Sequence, residues 1–398
     1  MIATLAAFAC LSSQPIEETS PVHPSDEAPT SEVLSLAEQE RYSRHLALPE
    51  VGVSGQQRLK GAKVAVVGVG GLGTPLAAYL AAAGVGTIGL VDFDEVSLSN
   101  LQRQILFDTE DVGRPKVWQA KARLEAMNPH VRVVGHEAPL NATNALAILG
   151  GYDLVADATD NFAVRYLLND ACHQLGRPLV QASLYRFEGQ LTVFSPEGPC
   201  YRCLYPEPPS MPPRCSDAGV LGALPGILGA LQANEVLKLI LKIGSPLIGR
   251  LLLVDALGTR FSEIAVPKDP ACALCGEHPI LTALVDQGAI ACEASDDAIS
   301  ARELLALGEE PLVIDVRDGV EALSPVPGAM HVPYPRLSDV LPELPRDRKV
   351  VVYCLSGDLS RHAVALLRGA GCAQARSLEG GLLAYHREMS LREAFLNG

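Results

Sequence analysis

Between Lys63 and Gln104 the chain reads as an apolar run, a glycine loop, a helical stretch, a second apolar run and an acid, and few folds accept that order. Lys63-Val-Ala-Val-Val67 leads into Gly68-Val-Gly70-Gly71-Leu-Gly73, in which Gly68, Gly70 and Gly73 match the G-x-G-x-x-G spacing of a strand-to-helix turn. Glycine there lets backbone approach a ligand, and the free N–H groups of the next helix face anionic oxygens. Pro75 suits the first turn of that helix. Further strand-like runs at 87–92, 131–136, 153–157 and 179–182 alternate with helical stretches, which calls for a mostly parallel, helix-covered α/β sheet. Runs at 190–194 and 250–255 are additional strand candidates.

This first unit is expected over 31–280. After Gly276 the composition changes, and a weakly patterned link over 281–299 leads into a smaller α/β domain at 300–398. Its strands read Pro311–Arg317 and Lys349–Cys354, and 360–369 has helical pattern. About a hundred residues is a common domain size. Residues 11–31 are polar and proline-rich with too little apolar surface to pack, so 1–30 is expected to be a disordered tail.

Charge and hydropathy exclude some partners. A net charge of −14 with no cluster of Lys and Arg argues against nucleic acid, whose phosphates demand such clusters. Met1–Cys10 is apolar and ends in small residues and a cysteine, faintly like a lipoprotein signal, but it lacks a basic flank and a full-length apolar stretch. The most hydrophobic stretch, 222–243, is interrupted by Gln232, Asn234, Glu235, Lys238 and Lys242, so a buried or interface helix is expected and no membrane partner. Of ten cysteines, four fall into two Cys-x-x-Cys pairs, which fits a reducing, cytoplasmic setting better than secreted disulfides.

Beyond the glycines the pattern leaves hydride chemistry behind. Asp92, nineteen residues past Gly73, stands where a ribose hydroxyl binds, or else is a strand-end turn acid. Ser99-Asn100-Leu101-Gln102-Arg103-Gln104 and Gly113-Arg-Pro-Lys116 follow. Arg103 and Lys116 are either solvated surface cations, the default for their type, or fixed charges that stabilise an α-phosphate while pyrophosphate leaves. Asp160, in Asp157-Ala-Thr-Asp160-Asn161-Phe162 at a strand's carboxyl end, lies where α/β sheets bind ligands, or else caps the helix beginning near Asn161. Together these residues point to a nucleoside triphosphate and adenylation.

Cys200-Tyr-Arg-Cys203 and Cys272-Ala-Leu-Cys275, separated by 68 residues, have metal-ligand spacing, and four thiolates suit a closed, structural tetrahedral zinc; disulfides are the alternative. Cys215, in Arg214-Cys-Ser-Asp217, follows a proline-rich stretch that cannot be regular structure. Beside an arginine it is either a low-pKa nucleophile or a spare thiol. Cys172 has the pattern of a core residue, and Cys10, Cys292 and Cys372 have no partner pattern. Cys354 ends an apolar run and precedes a glycine-containing loop into a helix, where backbone N–H groups stabilise a thiolate or persulfide.

From about Glu38 to Gly276 these motifs, with Arg41-Tyr-Ser-Arg44, resemble the ubiquitin-activating-like enzymes that adenylate sulfur-carrier proteins, such as molybdopterin-synthase adenylyltransferase and its thiamine-pathway relative. The resemblance implies a Rossmann-like sheet and ATP held by Gly71, Asp92, Ser99, Asn100, Leu101, Gln102, Arg103, Lys116 and Asn161. It further implies magnesium on Asp160, a structural zinc, and a homodimer in which Arg44 reaches the partner's site. Relatives also carry a cysteine at the position of Cys215 that can link to the carrier's C-terminus, although they usually have Glu where this chain has Asp217.

From about Ser300 to Leu396 the chain resembles a rhodanese, through Val313–Arg317, Pro327–Pro333, Cys354–Arg361 and Leu378–Gly381. That makes Cys354 the implied sulfur carrier. Leu355 stands where many relatives have a basic residue, which weakens the case for thiosulfate as donor. The two resemblances together imply adenylation of a ubiquitin-like carrier ending in Gly-Gly, then sulfur transfer from a persulfide supplied by a donor such as a cysteine desulfurase. An NAD(P)-dependent oxidoreductase with an appended domain, and a non-catalytic zinc-stabilised scaffold that binds a carrier, are the alternatives.

Overall fold

Alternate residues of β1 (Lys63–Val67) enter different cores: Val64 and Val66 pack on one side, Ala65 and Val67 on the other. A strand buried on both faces needs helices on both, which is why these apolar runs are continuous rather than alternating. The computed structural model describes residues 33–207, 219–286, 298–307, 311–317, 324–346, 348–355 and 357–396. Its first sheet adds β2 (Thr87–Val91), β3 (Arg132–His136), β4 (Leu154–Asp157), β5 (Leu179–Tyr185), β6 (Glu188–Phe194), β7 (Arg250–Asp255) and β8 (Arg260–Ala265). The order is β3-β2-β1-β4-β5-β6-β7-β8, parallel through β5 and antiparallel after it.

The chain runs outward from β1 through β2 to β3 and then returns to the other side of β1 as β4. Ligands bind in α/β sheets at the carboxyl ends of strands beside such a reversal. The Rossmann-like architecture is therefore present, with two differences from the sequence reading. β5 and β6 extend to a turn at Arg186 and Phe187, with Arg186 at φ 55°, because antiparallel backbone pairing continues past the apolar residues. β8, not anticipated, is exposed along its whole length and is held by pairing to β7 alone.

Helix Ala223–Leu241 is long and apolar enough to cross a membrane, yet Gln232 is fully buried and donates to the carbonyls of Asp157 (2.7 Å) and Val180 (2.9 Å). Glu235 accepts from the Leu247 amide at 2.9 Å. Gln232 and Glu235 thus anchor the helix beneath the sheet, whereas Asn234 and Lys242 are exposed.

The second sheet is all parallel, in the order β11 (Met330–His331), β10 (Leu312–Asp315), β12 (Val350–Tyr353), β13 (Ala375–Leu378), β9 (Ala298–Ile299). Its edge strand β9 comes from the stretch read as a link. The helices Asp358–Gly369 and Gly381–Leu396 flank the end of β12.

Candidate functional site

The glycine loop is shaped by close backbone contacts. Gly68 has φ 91°, and a Cβ there would lie 2.7 Å from the Ala158 carbonyl oxygen, so the ends of β1 and β4 meet with no room for a side chain. A Cβ on Gly73 would come within 1.9 Å of the Gly68 oxygen. Asp92 clamps the loop from the end of β2: one carboxylate oxygen accepts from the Val69 amide at 2.6 Å, the other from the Asp94 amide at 2.9 Å. Burial raises its pKa, with Lys116 and these amides pulling the other way.

Lys116 opens helix Lys116–Met127 and is 5% exposed, with Nζ 2.7 Å from Asp94 Oδ2. It is a fixed charge, not a solvated one. Arg103 donates to the Ser99 carbonyl at 3.0 Å, and Asn100 accepts from the Ser97 amide at 3.3 Å, holding the short turn Leu98–Asn100. The helix Phe162–Leu175 is capped by Asn161, whose Oδ1 accepts from Ala163 at 2.9 Å; the capping role considered for Asp160 falls to its neighbour.

One cavity of about 650 Å³ is lined by Gly71, Asp92, Ser99, Asn100, Gln102, Arg103, Lys116, Asp160 and Asn161. That volume lies within the range of small-molecule sites. Leu101 instead packs against the core, and Arg44, on the short helix Ser43–Leu46, is not part of this wall of its own chain. Among the lining residues given no role by the sequence reading are two buried polar ones. Gln104 is buried with no partner for Oε1, and Arg165 is buried over the Phe162 ring, 4.8 Å from its centroid. The first continues the Ser99–Arg103 run and was open to inference; an arginine inside a helix carries no such signal.

Cys200, Cys203, Cys272 and Cys275 place their sulfurs within 4.8 Å of one another. The shortest separations, 3.4 Å for Cys203–Cys275 and 3.5 Å for Cys200–Cys272, are far beyond the roughly 2.05 Å of a disulfide. Burial pushes the Cys275 thiol up to about 12, and a bound cation would favour its thiolate form. The donor set fits a closed tetrahedral metal. The first pair is fastened to helix Phe162–Leu175 by a buried bidentate ion pair, Arg202 Nε and Nη2 on Asp170 at 2.9 and 2.7 Å, and by the Tyr201 amide on Asn169. Asp170→Ala would strand the Arg202 charge, and we expect a loss of about 3–5 kcal/mol in denaturant unfolding.

Cys354 follows β12 and is 4% exposed. Its sulfur accepts from the Gly357 amide at 3.2 Å and lies 3.8 Å from Ser360 Oγ, at the start of helix Asp358–Gly369. The Leu382 amide donates to the Cys354 carbonyl at 2.9 Å. A Cβ on Gly381 would sit 2.6 Å from Cys354 O, Leu355 O and Gly357 N, so only glycine allows the second helix so near the loop. Cys172 is buried, as its core pattern implied, and so is Cys372; Cys215, Cys10 and Cys292 lie outside the described residues.

Buried and clamped cations beside acids at the sheet's switch point define a nucleotide-dependent transferase, here joined to a parallel-sheet unit that cradles a thiol. Comparison with known proteins agrees. Residues 42–274 match the ThiF family and 300–388 the Rhodanese-like domain. A "Probable adenylyltransferase/sulfurtransferase MoeZ" of Mycobacterium tuberculosis is 44% identical over 377 residues, 89% of this chain and 95% of that protein. A "Sulfur carrier protein adenylyltransferase" of Thermus thermophilus is 52% identical over 257 residues, covering 63% of this chain and 95% of its own length. The crystal structure of E. coli MccB with ATP superposes with a TM-score of 0.52 at 25% identity over 59% of this chain and 74% of that one. The chain belongs to the ThiF family, in its branch of adenylyltransferase/sulfurtransferases that carry a rhodanese-like domain. It is an enzyme of both chemistries, adenylation and sulfur transfer.

Proposed function

We propose that this chain uses magnesium-ATP to adenylate the C-terminal glycine of a ubiquitin-like carrier ending in Gly-Gly, and then converts that carboxylate to a thiocarboxylate. The observation that carries the reading is the convergence of Arg103, buried Lys116 and Asp160 on one cavity in a chain that also cradles the Cys354 sulfur. A carrier carboxylate oxygen attacks the α-phosphorus, the bond to the bridging oxygen breaks, and pyrophosphate leaves with the electron pair. Lys116 and Arg103 hold the charge that builds on the phosphates. Asp160, with the ATP phosphates, would hold magnesium, which rarely occupies an all-protein cage.

The outer sulfur of a Cys354 persulfide then attacks the carbonyl carbon and AMP departs, leaving an acyl disulfide. A second thiol attacks the Cys354 sulfur and breaks the S–S bond, releasing the thiocarboxylate and forming a disulfide that a thiol reductant must clear. Cys215 is our candidate for that thiol. Zinc is our metal for the four-cysteine site, because thiolate ligands in a closed set favour it. A cysteine desulfurase is the proposed source of the persulfide. A homodimer would let Arg44 complete a partner's site, and the described cysteines, all free of disulfides, suit the cytoplasm.

The test is intact-mass analysis of carriers incubated with the protein, magnesium-ATP and a sulfane-sulfur donor. We expect a gain matching one oxygen replaced by sulfur. With Asp160→Ala, ATP–pyrophosphate exchange should fall by about 10²-fold or more. Exchange at the wild-type rate would remove Asp160 from the chemistry.

A further inference from the structure

We infer that sulfur is delivered in cis: Cys354 serves the nucleotide cavity of its own chain, and Leu355 with Leu383 forms the apolar lip that seats it there. This rests on the reading of that cavity as the place where the carrier adenylate forms.

The wall of the cavity that holds Arg103, Lys116 and Asp160 is completed by Leu355 and Leu383. These two side chains are 44% and 45% exposed, whereas Cys354 is 4% exposed. Leu355 directly follows Cys354, so the backbone bearing the sulfur lies one Cα step, about 3.8 Å, from a residue of the cavity wall. The two leucines are tied together through backbone. The Leu383 amide donates to the Leu355 carbonyl at 3.2 Å, the Leu382 amide to the Cys354 carbonyl at 2.9 Å, and Gly381 permits that approach. Whatever holds the lip on the cavity therefore also holds the sulfur loop there.

The connection between the domains independently favours the same pairing. Gln174 donates to the Thr282 carbonyl at 3.2 Å, and Asp286 accepts from the Ala142 amide at 2.7 Å. Leu284 packs against the core cluster that Leu140 also joins, and Leu140 lines the nucleotide cavity. The link is thus fastened to the first domain as far as Asp286, beside the cavity. From Asp286 to Ala298 the chain can span at most roughly 40 Å. That reach keeps the start of the sulfur-bearing domain within roughly 40 Å of Asp286, beside its own adenylate site, which raises the local concentration of the sulfur there.

Cis delivery means that the acyl-adenylate meets the persulfide without leaving the chain that made it. The outer persulfide sulfur bonds to the carbonyl carbon, the carbon–oxygen bond to AMP breaks, and AMP carries off the electron pair. The acyl disulfide left on Cys354 awaits a thiol, as above.

The test uses two full-length variants. Asp160→Ala is disabled in adenylation but accepts persulfide, and Cys354→Ala adenylates but carries no sulfur. Each half-reaction is checked by persulfide labelling and by ATP–pyrophosphate exchange. The two are produced together in one cell, so that subunits of any assembly mix, and thiocarboxylate is measured on the carrier by mass. Delivery in cis predicts less than about a tenth of the wild-type rate, because neither chain holds both parts. A rate above that overturns the proposal, since only transfer between chains could produce it. The double variant Leu355→Asp, Leu383→Asp should lower the overall rate at least about tenfold while persulfide labelling of Cys354 persists, and an unchanged rate removes the lip from the mechanism. A wild-type chain that forms no thiocarboxylate at all would instead overturn the functional reading on which the inference rests.

Discussion

Cys354→Ala should abolish thiocarboxylate formation, by at least roughly 10³-fold, and leave ATP–pyrophosphate exchange at the wild-type rate. The size of the first effect follows from what the side chain does. A persulfide needs a sulfur anchor, and among the described cysteines Cys354 has the loop amide that suits one: Cys372 instead faces the Pro345 carbonyl, burial pushes the Cys172 thiol up, and the remaining four sulfurs form the metal-type cluster. The Gly357 amide at 3.2 Å points at Sγ, so the cradle that stabilises an anion survives in the variant with nothing to hold. The second effect, an unchanged exchange rate, follows from the division of the fold. Cys354 belongs to a core of the second sheet, whereas the glycine loop, Asp92 and Lys116 are held by β1, β2 and helix Lys116–Met127 of the first. Carrier mass and radiolabelled pyrophosphate exchange, measured on the same preparation, separate the two. A fall in exchange comparable to the loss of sulfur product would mean that the halves do not work as distinct steps.

The same division explains what could be read without coordinates. The strand–glycine–helix run and the two Cys-x-x-Cys pairs are local signals whose spacing alone states a geometry, and the 68-residue separation between the pairs closes to a Cys200–Cys272 sulfur distance of 3.5 Å. β8 was invisible because a strand exposed from Arg260 to Ala265 has no apolar alternation; its partner's backbone holds it. The ion pair between Arg202 and Asp170 was invisible for a different reason. Each looks like an ordinary surface charge, and only the packing of the Cys200 segment against helix Phe162–Leu175 buries them together. Lys116 belongs to this class as well: its position in a motif suggested a role, while its burial and its 2.7 Å contact with Asp94 come from the tertiary fold. That Asn161 caps the helix, and not Asp160 for which capping was the alternative reading, is a one-residue matter that hydrogen-bond direction decides and spacing does not.

Gly73→Ala is expected to lower ATP–pyrophosphate exchange by about 10²-fold or more while persulfide loading on Cys354 continues. The methyl group would sit 1.9 Å from the Gly68 carbonyl oxygen, and the obstacle is backbone rather than a flexible side chain. Relief requires the loop or helix Gly73–Ala83 to move. The loop cannot move alone, because a Cβ-sized gap is already missing at Gly68, where the Ala158 oxygen is the near neighbour, and because Asp92 holds the Val69 amide at 2.6 Å. Displacing the helix start by even about 1 Å carries its free N–H groups away from the phosphate position, and misplacement of that order costs about 10²-fold in a positioned reaction. Gly226→Ala supplies the contrast. Gly226 lies in helix Ala223–Leu241 beside Pro225, which lines the same cavity, but a Cβ there would meet nothing within 4 Å. Alanine at that position should raise stability by about 0.5–1 kcal/mol through the entropy of the unfolded chain and leave exchange unchanged. If both glycines tolerated alanine equally, the tight approach of helix to loop would not be what positions the phosphates.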